Sequence, residues 1–364
     1  MKWIQRAALA LAAVVVFLAL LEGLVSLVRF ANRLATEARP EVAERRHTRY
    51  DPELGWVNET SVHLEDFYGP GRDLTTNAQG FRGTRDVAPQ VPEGRFRIVC
   101  SGDSFVLGYG VGDEDTWCAQ LEAIDPRFEP VNMGQGGYGI DQAFLWYARE
   151  APTLEHDLHV FAFIHEDFIR MKANRFLGYG KPTLALVGGE LRVENVPVSR
   201  TPYLLPWLTR NAALLNELRL VGALRGAFRQ KPTGQRQLDF EKTGRLALAV
   251  FERLAAQNRE RGSALLLVYL PMQTDHAWPS GDAWRQQIRA EARRRGLYVV
   301  DLVERLRQLP RNEVARLFIP EGSLPFRGAE GHYTRQGNRW VAEQLVRSIR
   351  DRPDRQRRRP GPTR

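Results

Sequence analysis

The chain has 364 residues, with 52 Lys and Arg against 43 Asp and Glu and 43% apolar residues. That length makes one large domain or two small ones, and an ordinary 26% of charged residues excludes wholesale disorder. Two cysteines cannot build a disulfide framework or a Cys-rich zinc module, and seven Arg less two Asp in residues 350–364 account for +5 of the net charge of +9, so the body is too mildly basic to imply a nucleic-acid groove.

Residues 7–28 read AALALAAVVVFLALLEGLVSLV, 22 residues with Glu22 as the one charge. As a helix this run spans ~33 Å, enough for a hydrocarbon layer of about 30 Å. Lys2 and Arg6 precede it, as in the positive flank of an export signal. A cleaved signal peptide needs a shorter apolar core and a small-x-small site, and no convincing Ala-x-Ala follows. The reading favoured is an uncleaved single-pass anchor in the inner (cytoplasmic) membrane, N-terminus inside, with the bulk facing the periplasm or exterior. Arg29, Arg33 and Arg39 weaken the orientation, because they place positive charge on the far side too.

The body alternates between strand and helix patterns. Short apolar runs at 96–100 (FRIVC), 129–132, 158–164, 264–270 (ALLLVYL) and 298–302 read as buried strands. Helical stretches lie at 116–124, 141–149, 240–261, 284–295 and 337–349. This alternation predicts βαβ units, a three-layer α/β/α sandwich on a mostly parallel five-stranded sheet, and functional groups at the carboxyl ends of the strands. Residues 170–238 interrupt it. Within them ALVGGELRVENVPV (184–197) predicts a hairpin around Gly188-Gly189, in an insertion expected to overhang the strand ends.

Three loop segments carry candidate chemistry. Ser104, in Cys100-Ser101-Gly102-Asp103-Ser104-Phe105, stands where the first strand stops, the place for an exposed hydroxyl beside helix N-terminal N–H groups. Ser at such a position is also a common helix cap. Asn132-Met133-Gly134-Gln135-Gly136-Gly137-Tyr138-Gly139 puts four glycines in six positions at the second strand end, for a sharp bend or a close approach. His332, in Gly331-His332-Tyr333-Thr334, comes 228 residues after Ser104, so only the fold brings them together.

The order GDSF, NMGQGGYGIDQ and GHYTRQGNRWVAEQL resembles the SGNH/GDSL hydrolase superfamily of serine esterases, lipases and carbohydrate deacetylases. The segment TNAQGFRG (76–83) resembles one in membrane-anchored bacterial members. The likeness spans roughly 48–349 and is dense only at these blocks. It implies Ser104 as nucleophile, His332 as base, and the N–H groups of Ser104 and Gly137 in an oxyanion hole. Together with the apolar run, the break in alternation and the charged C-terminus, the expected organisation is an anchor (1–34), a juxtamembrane prelude (35–95), an SGNH-like domain (96–349) with the insertion at 170–238, and a basic disordered tail (350–364).

Two departures stand out. The Asp expected two or three residues before the His is absent: Ala329 and Glu330 occupy those places. Glu330 is the candidate to orient the imidazole, with Asp301 a remote alternative. Where the family has Gly-x-Asn-(Asp), this chain has His165-Glu166-Asp167. An ionised Glu166 cannot donate to an oxyanion, so His165 is the candidate replacement, with Asp103, Glu166 and Asp167 as site lining. A metal reading of this triplet lacks a fourth ligand, and no cofactor is expected. The implied partners are an ester-bearing small molecule or glycan and, through the N-terminal helix, a membrane. The implied activity is ester hydrolysis, possible on O-acyl groups of cell-surface glycans. The competing expectation is a catalytically weakened glycan- or acyl-binding accessory to O-acyl transfer.

Overall fold

The computed structural model describes residues 2–37, 47–176, 179–199, 238–277 and 279–352. Most of the insertion, with its apolar segment around Trp207, and nearly all of the basic tail lie outside them. The chain divides into two units. In the first, residues Lys2–Glu37 form one helix, whose stretch Lys2–Val28 is long and apolar enough to cross a membrane. Leu11, Val15, Phe17, Leu20 and Leu24 of that stretch are all exposed.

The second unit is built on five parallel strands: β1 (Phe96–Gly102), β2 (Phe128–Gly134), β3 (Leu158–Phe163), β4 (Ala264–Tyr269) and β5 (Val299–Asp301). Their order is β5-β4-β3-β1-β2, and every neighbouring pair is parallel. The strands are buried on both faces, which is why they read as continuous apolar runs without alternation. On one face Ile98, Cys100, Val160, Ala162, Leu266 and Val268 pack against Trp117 and Leu121 of helix Trp117–Ile124 and Val341, Leu345 and Ile349 of helix Arg335–Arg350. On the other, Phe161, Phe163 and Tyr269 meet Phe251 of helix Arg245–Glu260 and Phe168. The result is the three-layer α/β/α architecture expected.

The chain leaves β1 outward to β2 and then crosses back to β3 on the other side of β1. The connections therefore diverge at β1, and the carboxyl ends of β1 and its neighbours are where a sheet of this kind gathers its functional groups. Both cysteines lie in the core as free thiols.

The segment before β1 is more ordered than its Pro- and charge-rich composition suggests. Thr48–Asp51 pairs antiparallel with Gly55–Asn58, and Val62–Leu64 with Leu74–Thr76. A single bridge joins Arg82 to Asn132 of β2. Trp56, Tyr68 and Leu74 from this segment are fully buried. The hairpin around Gly188-Gly189 forms as Thr183–Val187 against Glu190–Glu194, with Leu186, Val187 and Val193 partly exposed.

Candidate active site

β1 ends at Gly102, where an added Cβ would lie 2.2 Å from the Ala162 carbonyl oxygen of β3. A glycine is needed there for the chain to turn so tightly against its neighbour. Asp103 then caps the short helix Ser104–Leu107, its Oδ1 accepting from Phe105 N–H at 2.9 Å. Ser104 thus starts the helix at the carboxyl end of β1, and it is 4% exposed, where the sequence predicted an exposed hydroxyl.

The far end of that helix is held from the preceding segment. The Arg82 guanidinium donates to the carbonyls of Leu107 and Val111, each at 2.6 Å, and pairs with Asp113 at 2.9 Å. Its side chain is 1% exposed. One arginine thus satisfies C-terminal carbonyls that a four-residue helix leaves without intrahelical partners. From β2, Asn132 Nδ2 donates to the Val106 carbonyl at 2.9 Å and its Oδ1 accepts from Gly134 N–H at 2.9 Å. The Asn of the second block is therefore a brace for the Ser104 helix.

His332 arrives on the loop before helix Arg335–Arg350. That loop is fixed by Thr334, which caps the helix, and by Tyr333, whose hydroxyl donates to the Pro271 carbonyl at 2.6 Å. His332 Nε2 lies 2.8 Å from Ser104 Oγ. Phe105 stacks on the imidazole with ring centroids 4.3 Å apart, and Tyr109 approaches it at 5.3 Å. Burial holds the imidazole well below the usual histidine range, to about 4; Asp103 pulls the other way, and the Arg170 charge reinforces the depression. At neutral pH the ring is uncharged and Nε2 can accept the Ser104 proton.

The sequence expectation for Glu330 requires correction. Its carboxylate accepts from Gly322 N–H at 2.9 Å, on the outside of the loop, and His332 Nδ1 has no side-chain acceptor among the described residues. The backbone of Glu330 and Ala329 also favours the charged ring. Asp301 does not serve either: it caps helix Leu302–Leu306 and pairs with Arg285. Among the described residues, the arrangement is a Ser–His pair with no carboxylate as its third member.

Gly137 adopts φ +79°, and a Cβ there would lie 2.6 Å from the Phe176 ring. Its neighbour Gly136 is fixed from both sides, its N–H donating to Gln135 Oε1 at 2.7 Å and its carbonyl accepting from Trp56 Nε1 at 2.8 Å. Neither the Ser104 N–H nor the Gly137 N–H donates to another described residue. Both remain available to an incoming oxygen.

The segment His165-Glu166-Asp167 opens helix His165–Arg170 after β3. His165 does not supply the missing donor. Its Nδ1 meets the Tyr269 hydroxyl at 3.2 Å, its ring packs against Gly281, and no contact joins it to Ser104 or His332. Glu166 is half-buried and makes no hydrogen bond or ion pair with a described residue. Asp167 is buried, and its Oδ2 accepts from Ile164 N–H at 2.9 Å. Desolvation and the nearby Asp103 charge push its carboxyl well up. The residue that sequence reading missed is Arg170, which joins Asp103 and Asp167. Only its i,i+3 spacing from Asp167 hinted at a role. Tyr68, Tyr109 and Phe326 form an aromatic wall beside His332, with centroid separations of 5.1–5.9 Å.

No protein-family model matches the chain, and no curated protein matches it. Among solved structures, it is similar to a member of the lipolytic G-D-S-L family from Veillonella parvula, at 12% identity and a TM-score of 0.37, over 71% of this chain and 100% of that one. An acetyl xylan esterase matches at 14% identity and 0.39, over 70% and 100%, respectively. An alpha/beta hydrolase enzyme from the metagenome of Lake Arreo, Spain, matches at 14% and 0.39, over 73% and 97%.

Proposed function

We propose that the chain is an exported, membrane-anchored serine esterase of the SGNH type, acting on ester bonds through an acyl-enzyme, with O-acyl groups of cell-surface glycans as the substrate class. The observation that carries this is the 2.8 Å contact between Ser104 Oγ and His332 Nε2 at the carboxyl ends of the central strands. A hydroxyl held against a neutral imidazole, beside two unengaged backbone N–H groups, is what acyl transfer requires.

In this mechanism His332 takes the Ser104 proton as the oxygen attacks the ester carbonyl. The N–H groups of Ser104 and Gly137 receive the oxyanion. His332 then protonates the leaving alkoxide, and water resolves the acyl-enzyme by the same route. Asp103 holds the turn that presents Ser104 and does not enter the chemistry. The apolar run 7–28 of the N-terminal helix supports anchoring, and Lys2 and Arg6 before that run support export of the body.

The test is hydrolysis of p-nitrophenyl acetate by the full chain in detergent, against Ser104→Ala. Turnover that the substitution abolishes supports the proposal. A second reading, an acyl- or glycan-binding accessory with little turnover, is favoured by His332 Nδ1 lacking a carboxylate and by Glu166 standing where the family has a donor. Folded protein with no turnover above the Ser104→Ala background would select it.

A further inference from the structure

The two backbone donors come from different strands, so their spacing depends on whatever ties the strand-end loops together. The loop after β1 carries Asp103, the loop after β2 presents the Tyr138 carbonyl, and the helix after β3 carries Asp167. Arg170 Nη1 lies 3.1 Å from Asp103 Oδ2, 2.9 Å from the Tyr138 oxygen and 2.6 Å from Asp167 Oδ1. Nε and Nη2 have no acceptor among the described residues. The guanidinium sits 5.2 Å over the Phe176 ring, the same ring that packs on Gly137. The side chains of Asp103 and Asp167 are 1% and 2% exposed, so without Arg170 two buried carboxylates would face each other uncompensated.

We propose that Arg170 is a positioning residue that locks the Gly137 loop to the Ser104 loop and sets a positive charge beside them, in place of the amide donor the third strand end lacks. This rests on the acyl-hydrolase reading of Ser104 and His332. The charged groups around Arg170 are Asp103, Asp167 and Glu166, with the Lys181–Asp141 pair behind its backbone carbonyl. Those that reach His332 are Asp103 and Arg170. Loss of the Arg170 charge therefore moves the His332 titration upward, an effect that mere loss of packing does not produce.

The experiment compares wild type, Arg170→Met and Arg170→Lys, each as full chain in detergent and each checked by thermal melting. The readouts are the rate of Ser104 modification by a fluorophosphonate across pH, kcat and KM for p-nitrophenyl acetate, and the His332 titration by NMR, assigned with His332→Gln. Arg170→Met is expected to lose about 10²-fold in kcat with a smaller change in KM, and its acid limb moves to higher pH. Arg170→Lys keeps the charge but loses the planar guanidinium stacked on Phe176, so its acid limb stays while kcat falls. Wild-type kcat in Arg170→Lys, or an unmoved acid limb in folded Arg170→Met, overturns the inference. Wild-type protein that is not modified at Ser104 overturns the hydrolase reading instead. The NMR titration then still decides: an unchanged His332 in Arg170→Met sinks the electrostatic coupling, and a rise sustains it.

Discussion

Ser104 and His332 set the chemistry, and their surroundings set its pH range. The imidazole must be neutral to accept the serine proton, and burial holds its titration at about 4. The acid limb of kcat/KM is therefore expected near pH 4, well below the ordinary histidine value of about 6.5. A pH profile with stable protein checks this, and a limb near 6.5 would show that solvent reaches the ring. His332→Gln should cost at least about 10²-fold in ester hydrolysis, because no other base among the described residues reaches Ser104 Oγ. Glu330→Gln should change the rate by about twofold or less, since that carboxylate serves Gly322 on the loop exterior. A loss comparable to that of His332→Gln would restore Glu330 as an orienting group. The sequence suggested Glu330 from its place before His332. What it did not reveal is the turn at Gly331, with φ +75°, between the two residues.

At the scale of elements, the four-residue helix that begins at Ser104 is too short to stand alone, and its ends are held by distant side chains. Asp103 closes one end, and Arg82 closes the other from the segment before β1. Arg82→Met leaves Asp113 without its partner and several buried carbonyls without donors. A loss of about 3–5 kcal/mol is expected, measurable by denaturant titration. An unchanged unfolding midpoint would mean that the helix end is secured otherwise. The opposite face of β1 carries a second buried network. Ser101 Oγ meets His159 Nε2 at 2.6 Å, and Asn258 links His159 to Tyr147 and His156. Burial pushes both His156 and His159 below their ordinary values. The unfolded chain therefore binds more protons than the folded one below about pH 6.5, and stability declines as the pH falls from there. Melting temperatures between pH 7.5 and 5 should drop accordingly; a flat profile would contradict the neutral pair.

The strands were legible because parallel strands buried on both faces leave unbroken apolar runs such as IVC and HVFAF. The strand pairs before β1 were not, because Trp56, Tyr68 and Leu74 are spread among charges and turns and are buried only by tertiary contacts. Arg170 and Arg82 were illegible for a related reason. Apart from Asp167, which shares a helix with Arg170, their partners lie on separate strand ends or loops, and no sequence spacing encodes that convergence.

On the scale of the whole molecule, the chain joins a helix with the length and apolarity of a membrane span to a body that brings Ser104 and His332 together. If the helix anchors the protein, the full chain should stay with membranes through an alkaline carbonate wash. Recovery in the supernatant would argue for a cleaved or peripheral segment. The central claim is narrower: that Ser104 is the activated oxygen. Its most direct measurement is reaction of the native chain with a fluorophosphonate, followed by peptide mass spectrometry. The expected result is a single phosphonylated serine, Ser104, with the adduct absent from Ser104→Ala and strongly diminished in His332→Gln. An adduct elsewhere, or none on folded wild-type protein, would contradict it.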